Sequence, residues 1–437
     1  MTWFSEHFIH QSARKRAILY LSCLTLLFAL ASPDRQDMIS KFWFLQIGQN
    51  YLLRDFFEIA GPSGTFLNAA IHAFWAYFLM SRNEKTKING LQVAGIGIYL
   101  GHAFFGSTVL SSIPIFIGVV LYARWSRQSY KIFTTVSLFA IATSPIVTFM
   151  GHSFTSPVLG VFVASLTGLL LGFISPPLAE QFLKFHHGLS LYNYGFTTGI
   201  IAMFFALIFP YMGRQVEKVS VVSSHLEIYP LVYFLCLWLI LAVLVLMNWK
   251  SAWSTYPKLI KTSGRTPDDF MTKFGSHSTL LNMCLNSGIY FLILLIFREP
   301  FNGPILGGLL SIMGFSAFGK HPRNSLPVSA GVTLGALLLG TSLTDIRFQL
   351  ALLFSTGLAP ISGYYGLGYG FIAGMIHYSL TSVTFMMHQG MTLYNNGYAT
   401  GFVAAFLAPI IDTIQENNRY WLQKIKIGYS NYVSRKK

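Results

Sequence analysis

Charge is what this sequence has least of. Asp, Glu, Lys and Arg make up 10% of its 437 residues, against about 25% in an ordinary soluble domain, which excludes a globule wetted on all sides. The charge present is one-sided, 15 acidic against 30 basic residues. Cysteine is nearly absent: Cys23, Cys236 and Cys284 stand far apart in apolar stretches, which excludes a disulfide framework and leaves them as small packing residues. No HExxH or comparable ligand spacing occurs, so neither a metal nor another cofactor is expected. No carboxylate stands in the middle of a long apolar run. Asp55, Glu58, Glu180, Asp269, Glu299, Asp345 and Asp412 all lie near the ends of such runs, which argues against a proton pump built on a membrane-buried acid. It leaves facilitated transport, or cation coupling through carbonyls and hydroxyls.

What the chain has in plenty is apolar sequence, 53% of it, in runs long enough for membrane helices rather than an alternating barrel pattern. The basic residues cluster beside those runs, at Arg14 to Arg16, at Lys258 and Lys261, and at Arg435 to Lys437. That placement reads as orientation signals and contact with anionic lipids, so membrane lipids are the expected partners and nucleic acid is not.

The runs fall near 17–32, 65–81, 89–106, 109–124, 132–149, 156–176 and 190–212, then 228–249, 279–297, 302–319, 325–341, 347–362, 365–385 and 391–413. Several are short for a bilayer core of about 30 Å, which predicts tilted, broken or re-entrant segments. The first run ends in ALAS, like a cleavage site. Its removal would break the duplication described next, so it is read as a retained helix.

HHGLSLYNYGFTTG at 186–199 returns as HQGMTLYNNGYATG at 388–401. Eight of the fourteen positions are identical at a constant offset of 202, among them His186/His388, Tyr192/Tyr394, Asn193/Asn395 and Gly195/Gly397. Asp55/Asp269, Gly61/Gly275 and Asn68/Asn282 match at an offset of 214. Asn89/Asn302, Gly101/Gly314, Gly106/Gly319 and Pro114/Pro327 match at 213. The chain is therefore a duplication and is read as two halves.

Short basic loops stay cytoplasmic. With seven crossings in each half, the N-terminus, the loop around Arg82, the loop at 124–131, Lys250 to Lys273, the GKHPRN loop at 319–324 and the basic tail share one side. Loops near Ser153 and Glu217 fall outside. The expected fold is thus an all-α polytopic membrane protein of two inverted repeats, each of about seven transmembrane segments with some broken or short helices. Its parts are a cytoplasmic N-terminus at 1–16, a first repeat at 17–213, an external linker at 214–227, a second repeat at 228–413 and a basic cytoplasmic tail at 414–437.

Inverted repeats frame many secondary transporters, whose sites lie near the midplane where broken helices of both halves meet. The Gly-rich, Asn-containing pairs are where this chain could supply polar groups. Asn89 and Asn302 precede glycines, and Tyr192, Asn193 and Gly195 are matched by Tyr394, Asn395 and Gly397. An Asn amide both donates and accepts, and a nearby Gly lets backbone approach a solute. These eight residues are the expected substrate site for a small polar solute. They are also the residue types that cap and pack membrane helices. His186 and His388 recur with the motif and are candidates for a proton-linked role. A membrane-embedded enzyme acting on a lipid or prenyl substrate is the alternative, and it would need a polar catalytic cluster that the sequence does not display. A scaffold or sensor lacks a soluble domain to carry it. Assembly into a homo-oligomer is left open.

The strings NGPILGG, MGFSAFGKHPRN and HQGMTLYNNGYATGFVAAFLAPIID, preceded by SGRTPDDF, resemble an uncharacterised family of internally duplicated bacterial membrane proteins, a domain of unknown function. The resemblance spans nearly the whole chain. It implies the bacterial cytoplasmic (inner) membrane with both termini in the cytoplasm and carries no substrate. A weaker similarity links GLSLYNYGFTTG and GMTLYNNGYATG to the glycine, tyrosine and asparagine run of urea transporters. Those have fewer crossings per repeat and other signatures, so urea is not implied.

Overall fold

The computed structural model describes residues 3–81, 88–214, 216, 220–223, 227–297 and 300–435, with side chains from 13 onward and, in the tail, at 413–418 and 420. Arg82 and Glu217, two of the expected topology markers, lie outside the described residues, as does Glu299. Seven described helices are long and apolar enough to cross a membrane, and the pair Ala13–Ala31 and Arg35–Ile47, bent by 109°, makes an eighth.

Seven segments can be counted in each half. The first has the bent pair, Phe56–Ser81, Gly90–His102, Val109–Trp125, Tyr130–His152, Pro157–Phe185 and Asn193–Met212. The second has Ile228–Met247, Gly275–Ile296, Gly303–Phe315, Pro322–Leu338, the broken segment from Ile346–Phe354 to Ala359–Tyr365, Leu367–His388 and Asn395–Arg435. Between the first two of these runs Trp249–Leu259, an amphipathic helix rich in Trp and Lys.

Gly90–His102 and Gly303–Phe315 are half-helices of 13 residues. At 1.5 Å per residue each is about 20 Å long, short of the hydrocarbon thickness. The runs at 89–106 and 302–319, expected as full crossings, are thus shorter than a span. Each ends in a buried turn, at Ser107 and at Lys320.

The two half-helices pack against each other. A Cβ on Gly97 would lie 2.6 Å from the carbonyl of Leu310, its own equivalent, and one on Gly101 would lie 3.0 Å from Gly307, while Gly314 faces Ala94. Equivalent helices therefore run in opposite directions about a twofold axis, the geometry of inverted repeats. Small residues make this approach possible, because without side chains between them the helix backbones touch.

The ends of the half-helices repeat the relation. Asp55 of the first half accepts from Gly303 N at 3.1 Å, and Asp269 of the second accepts from Gly90 N at 2.8 Å. Each carboxylate caps the other half's helix, where the positive end of the helix dipole favours it. The glycine identities have a backbone reason too. Gly61/Gly275, Gly106/Gly319 and Gly188/Gly390 all have φ between +62° and +98°, where a Cβ is strained.

The linker between the halves is built into the first: Ser220–Val221 pairs in parallel with Leu53–Arg54, and Ser223 N donates to Asp55 at 3.4 Å.

Candidate functional site

The repeated motif forms a turn followed by a helix, Asn193–Ile208 in one half and Asn395–Arg435 in the other. The turns cross over. Leu191 N donates to Gly357 O, and Leu393 N donates to Ala142 O, both at 2.9 Å, so each motif docks on the broken segment of the opposite half. The helices that follow meet at the twofold: a Cβ on Gly195 would stand 2.7 Å from Gly397 Cα. Ser190 hydrogen-bonds Thr400 at 2.9 Å, and its mate Thr392 hydrogen-bonds Thr198 at 3.1 Å. Six of the eight expected site residues, Tyr192, Asn193, Gly195, Tyr394, Asn395 and Gly397, are thereby brought together.

Asn89 and Asn302 are elsewhere. They cap the half-helices, Asn89 Oδ1 accepting from Gln92 N at 3.0 Å and Asn302 Oδ1 from Ile305 N at 3.1 Å. Their glycines are the ones held by Asp269 and Asp55. The Asn-Gly pairs open helices as caps and do not face the other six.

The Asn193 and Asn395 amides are already committed. Asn193 Oδ1 accepts from His186 Nε2 at 3.0 Å while its Nδ2 donates to Ala179 O at 2.8 Å. Asn395 Oδ1 accepts from His388 Nε2 at 2.9 Å and from Thr384 at 2.8 Å, and its Nδ2 donates to Thr381 O at 3.1 Å. The other ring nitrogen of each histidine accepts a backbone N–H, from Ser190 and from Gly390. Both imidazoles are fully used in bracing the turn.

A cavity of about 350 Å³ reaches this centre from one side. Tyr394, Asn395, Asn396 and Gly397 line it, with Phe105, Phe354, Leu393 and, on flanking helices, Arg347, Thr381 and Ser382. Its size and largely apolar wall with a few convergent polar groups suit a small solute. Arg347 is neutralised by Asp345, whose carboxyl is held below the ordinary carboxylate range by the guanidinium hydrogen bond.

The two motif tyrosines differ sharply. Tyr192 hydrogen-bonds Ser311 at 2.8 Å and accepts from Lys320 Nζ at 2.5 Å, with Phe315 packed edge-on against its ring at 4.9 Å. Tyr394, in the equivalent place, has no hydrogen-bond partner for its hydroxyl among the described residues. Its ring neighbour is His102 at 4.6 Å, the equivalent of Phe315, and both nitrogens of that imidazole are unpartnered as well.

Lys320 shows that GKHPRN is not an exposed loop throughout, although Arg323 in it is exposed. Lys320, His321 and Asn324 are buried, and His321 caps the next helix, accepting from Asn324 N at 3.2 Å. Lys320 enters no ion pair among the described residues; its ammonium lies over the rings of Tyr192 and Phe315 at 4.4 and 4.9 Å. An ammonium removed from water without a counter-ion costs several kcal/mol, which cation–π contacts offset only in part.

Sequence reasoning passed over Lys320 and His102. The signal was in the alignment: an offset of 213 sets Lys320 on Ser107 and His102 on Phe315, a basic residue and an imidazole at the two half-helix turns with no ionisable match opposite.

These features define an internally duplicated, all-α, multi-pass membrane protein with a polar centre between its halves. A family model described as Protein of unknown function (DUF1576) matches residues 34–210 and 248–413, one match per half, and the chain belongs to that family. No curated protein and no solved structure matches it.

Proposed function

We propose that the protein is a secondary transporter or channel-like permease for a small polar solute, with its site where Tyr192, Gly195, Tyr394 and Gly397 meet. The observation that carries this reading is the inequality of the halves. The cavity reaches Tyr394 and Gly397 from one side, while the twofold-related Tyr192 is closed in by Ser311, Phe315, Lys320 and Phe354. A centre open on one side and shut on the other is one half of an alternating-access cycle, which inverted repeats complete by exchanging conformations. The charge pattern supports cytoplasmic termini in this reading, and the resemblance to a bacterial family supports the bacterial cytoplasmic membrane.

The test is solute uptake by the full chain in proteoliposomes, with Ser382→Trp as the blocked form. Ser382 lines the cavity and is exposed, so a bulky ring there fills space without touching the packed core. Uptake that Ser382→Trp abolishes supports the proposal. A folded wild type that moves neither neutral nor charged small solutes defeats it.

A further inference from the structure

We propose that the solute is a small oxyanion, a carboxylate or a phosphate, and that Lys320 and His102 mark its two resting places across the twofold. The transport step rests on the function proposed above; the anion site itself does not.

Positive and donor groups converge on the centre. The helices beginning at Asn193 and Asn395, of 16 and 41 residues, meet within their first turns at Gly195 and Gly397, so two positive helix ends point at one place. The Lys320 amine, which reaches Tyr192 of this motif, is fully buried and without a carboxylate among the described residues; burial pushes its pKa well below the ordinary lysine value, and an anion beside it would favour the charged form again.

Negative charge is missing from the same region. Asp55 is the one carboxylate in the buried class among the described residues, and it is spent on capping Gly303. The carboxylates nearest the cavity are already engaged, Asp345 by Arg347 and Asp55 by Gly303, so neither is free to hold a cation. An anion would supply what the site lacks.

The unpartnered atoms say where it sits. Tyr394 Oη is buried, has no partner among the described residues and belongs to a cavity-lining residue; His102, in ring contact with it, has two ring nitrogens without a partner among the same residues. Buried polar groups of native proteins are hydrogen-bonded with few exceptions; the Tyr394 hydroxyl and the one N–H that a neutral His102 carries are two donors that a guest with acceptor oxygens would satisfy. In the other half the same position is filled: Lys320 donates to Tyr192, which hydrogen-bonds Ser311. Exchange of the two halves' conformations would carry the cavity from Tyr394 to Tyr192 and put the oxyanion beside Lys320.

The experiment uses the purified full chain with acetate, lactate, inorganic phosphate, urea, glycerol and choline as probes, read by thermal stabilisation in detergent and by uptake in proteoliposomes. Stabilisation by acetate, lactate or phosphate is expected, with Lys320→Met weakening the apparent affinity on the order of tenfold to a hundredfold, the worth of a charge-assisted hydrogen bond. Lys320→Arg should keep part of it. Lys320→Met should melt no lower than wild type, because an apolar side chain of similar volume replaces a buried charge. The carboxylate and phosphate arms tell the two kinds of oxyanion apart. Response to urea, glycerol or choline alone, or oxyanion binding indifferent to Lys320→Met, overturns the anion proposal and leaves transport standing. Oxyanion binding without uptake of any probe does the opposite.

Discussion

Tyr192 and Tyr394 are equivalent in sequence and unequal in surroundings: Tyr192 accepts from Lys320 Nζ at 2.5 Å, while the Tyr394 hydroxyl is buried with no partner among the described residues. The unequal pair predicts unequal mutants. Tyr394→Phe removes a polar atom that no described residue satisfies, so its melting temperature should hold or rise, while solute binding falls. Tyr192→Phe should cost stability, roughly 1 to 3 kcal/mol, because Ser311 and Lys320 lose their partner. Thermal melts of both variants, run beside uptake, check this. A Tyr394→Phe protein as destabilised as Tyr192→Phe would contradict it.

The repeated asparagines looked in sequence like solute ligands, and the structure gives their amides other work. Asn193→Ala and Asn395→Ala each strand a buried histidine nitrogen and a backbone carbonyl. The expected outcome is lost stability, roughly 1 to 3 kcal/mol, with any fall in binding no larger than the unfolding explains. Asn286→Ala should likewise cost stability, since Asn286 bonds Ser316 and Ser325 inside the core. Denaturation and binding measured on the same samples separate the two effects.

Duplication, helical class and the meeting place of the two motifs were legible because they rest on identities that packing preserves. Gly195 and Gly397 touch, and the paired glycines of the turns hold positive φ, so substitution is costly and the repeat stays visible. The roles of Asn89 and Asn302 were not legible, since an Asn before a helix reads the same whether it caps or binds. Lys320 was hidden for a different reason. A lysine in a basic, proline-containing string looks like a surface loop, and only the fold shows that the half-helix turn is buried. The half-helices themselves ran together with their turns into apolar stretches of spanning length.

The crossing at the twofold gives the most severe prediction. A Cβ on Gly195 meets the Gly397 backbone at 2.7 Å and one on Gly397 meets Gly195 at 2.8 Å, and backbone cannot yield as a side chain can. Gly195→Val or Gly397→Val should lower the yield of folded protein sharply, with a cost of 1 to 3 kcal/mol or more as an order of magnitude for overpacking. Gly213→Val is the control, because Gly213 has open space around it, though its φ of +67° carries a smaller strain cost of its own. Size-exclusion profiles of the three variants would show whether the crossing is as tight as drawn.

Side markers can now be chosen from exposed positions. Ser153 and Lys320 are buried, so neither reports accessibility. Ser156 and Lys258 are exposed and replace them. With the three native cysteines removed, Ser156→Cys should react with an impermeant maleimide added outside whole cells and Lys258→Cys only after lysis. Labelling of Lys258→Cys in intact cells would reverse the orientation.

Asp55 supplies the pH dependence. Burial pushes its carboxyl up to about 7, against the lowering by the N–H groups of Phe57, Gly303 and Ser223. A carboxyl raised in the folded state binds its proton more tightly there than in the unfolded chain. Its contribution is therefore fully present below the ordinary value near 3.8 and is lost as pH rises through about 7, with a slope of at most about 1.4 kcal/mol per pH unit. Between pH 5 and pH 8 the melting temperature of the wild type should fall. Asp55→Asn keeps an acceptor for Gly303 N and cannot titrate, so its melting temperature should be flatter across the same window. A slope that survives Asp55→Asn would assign the titration to another group.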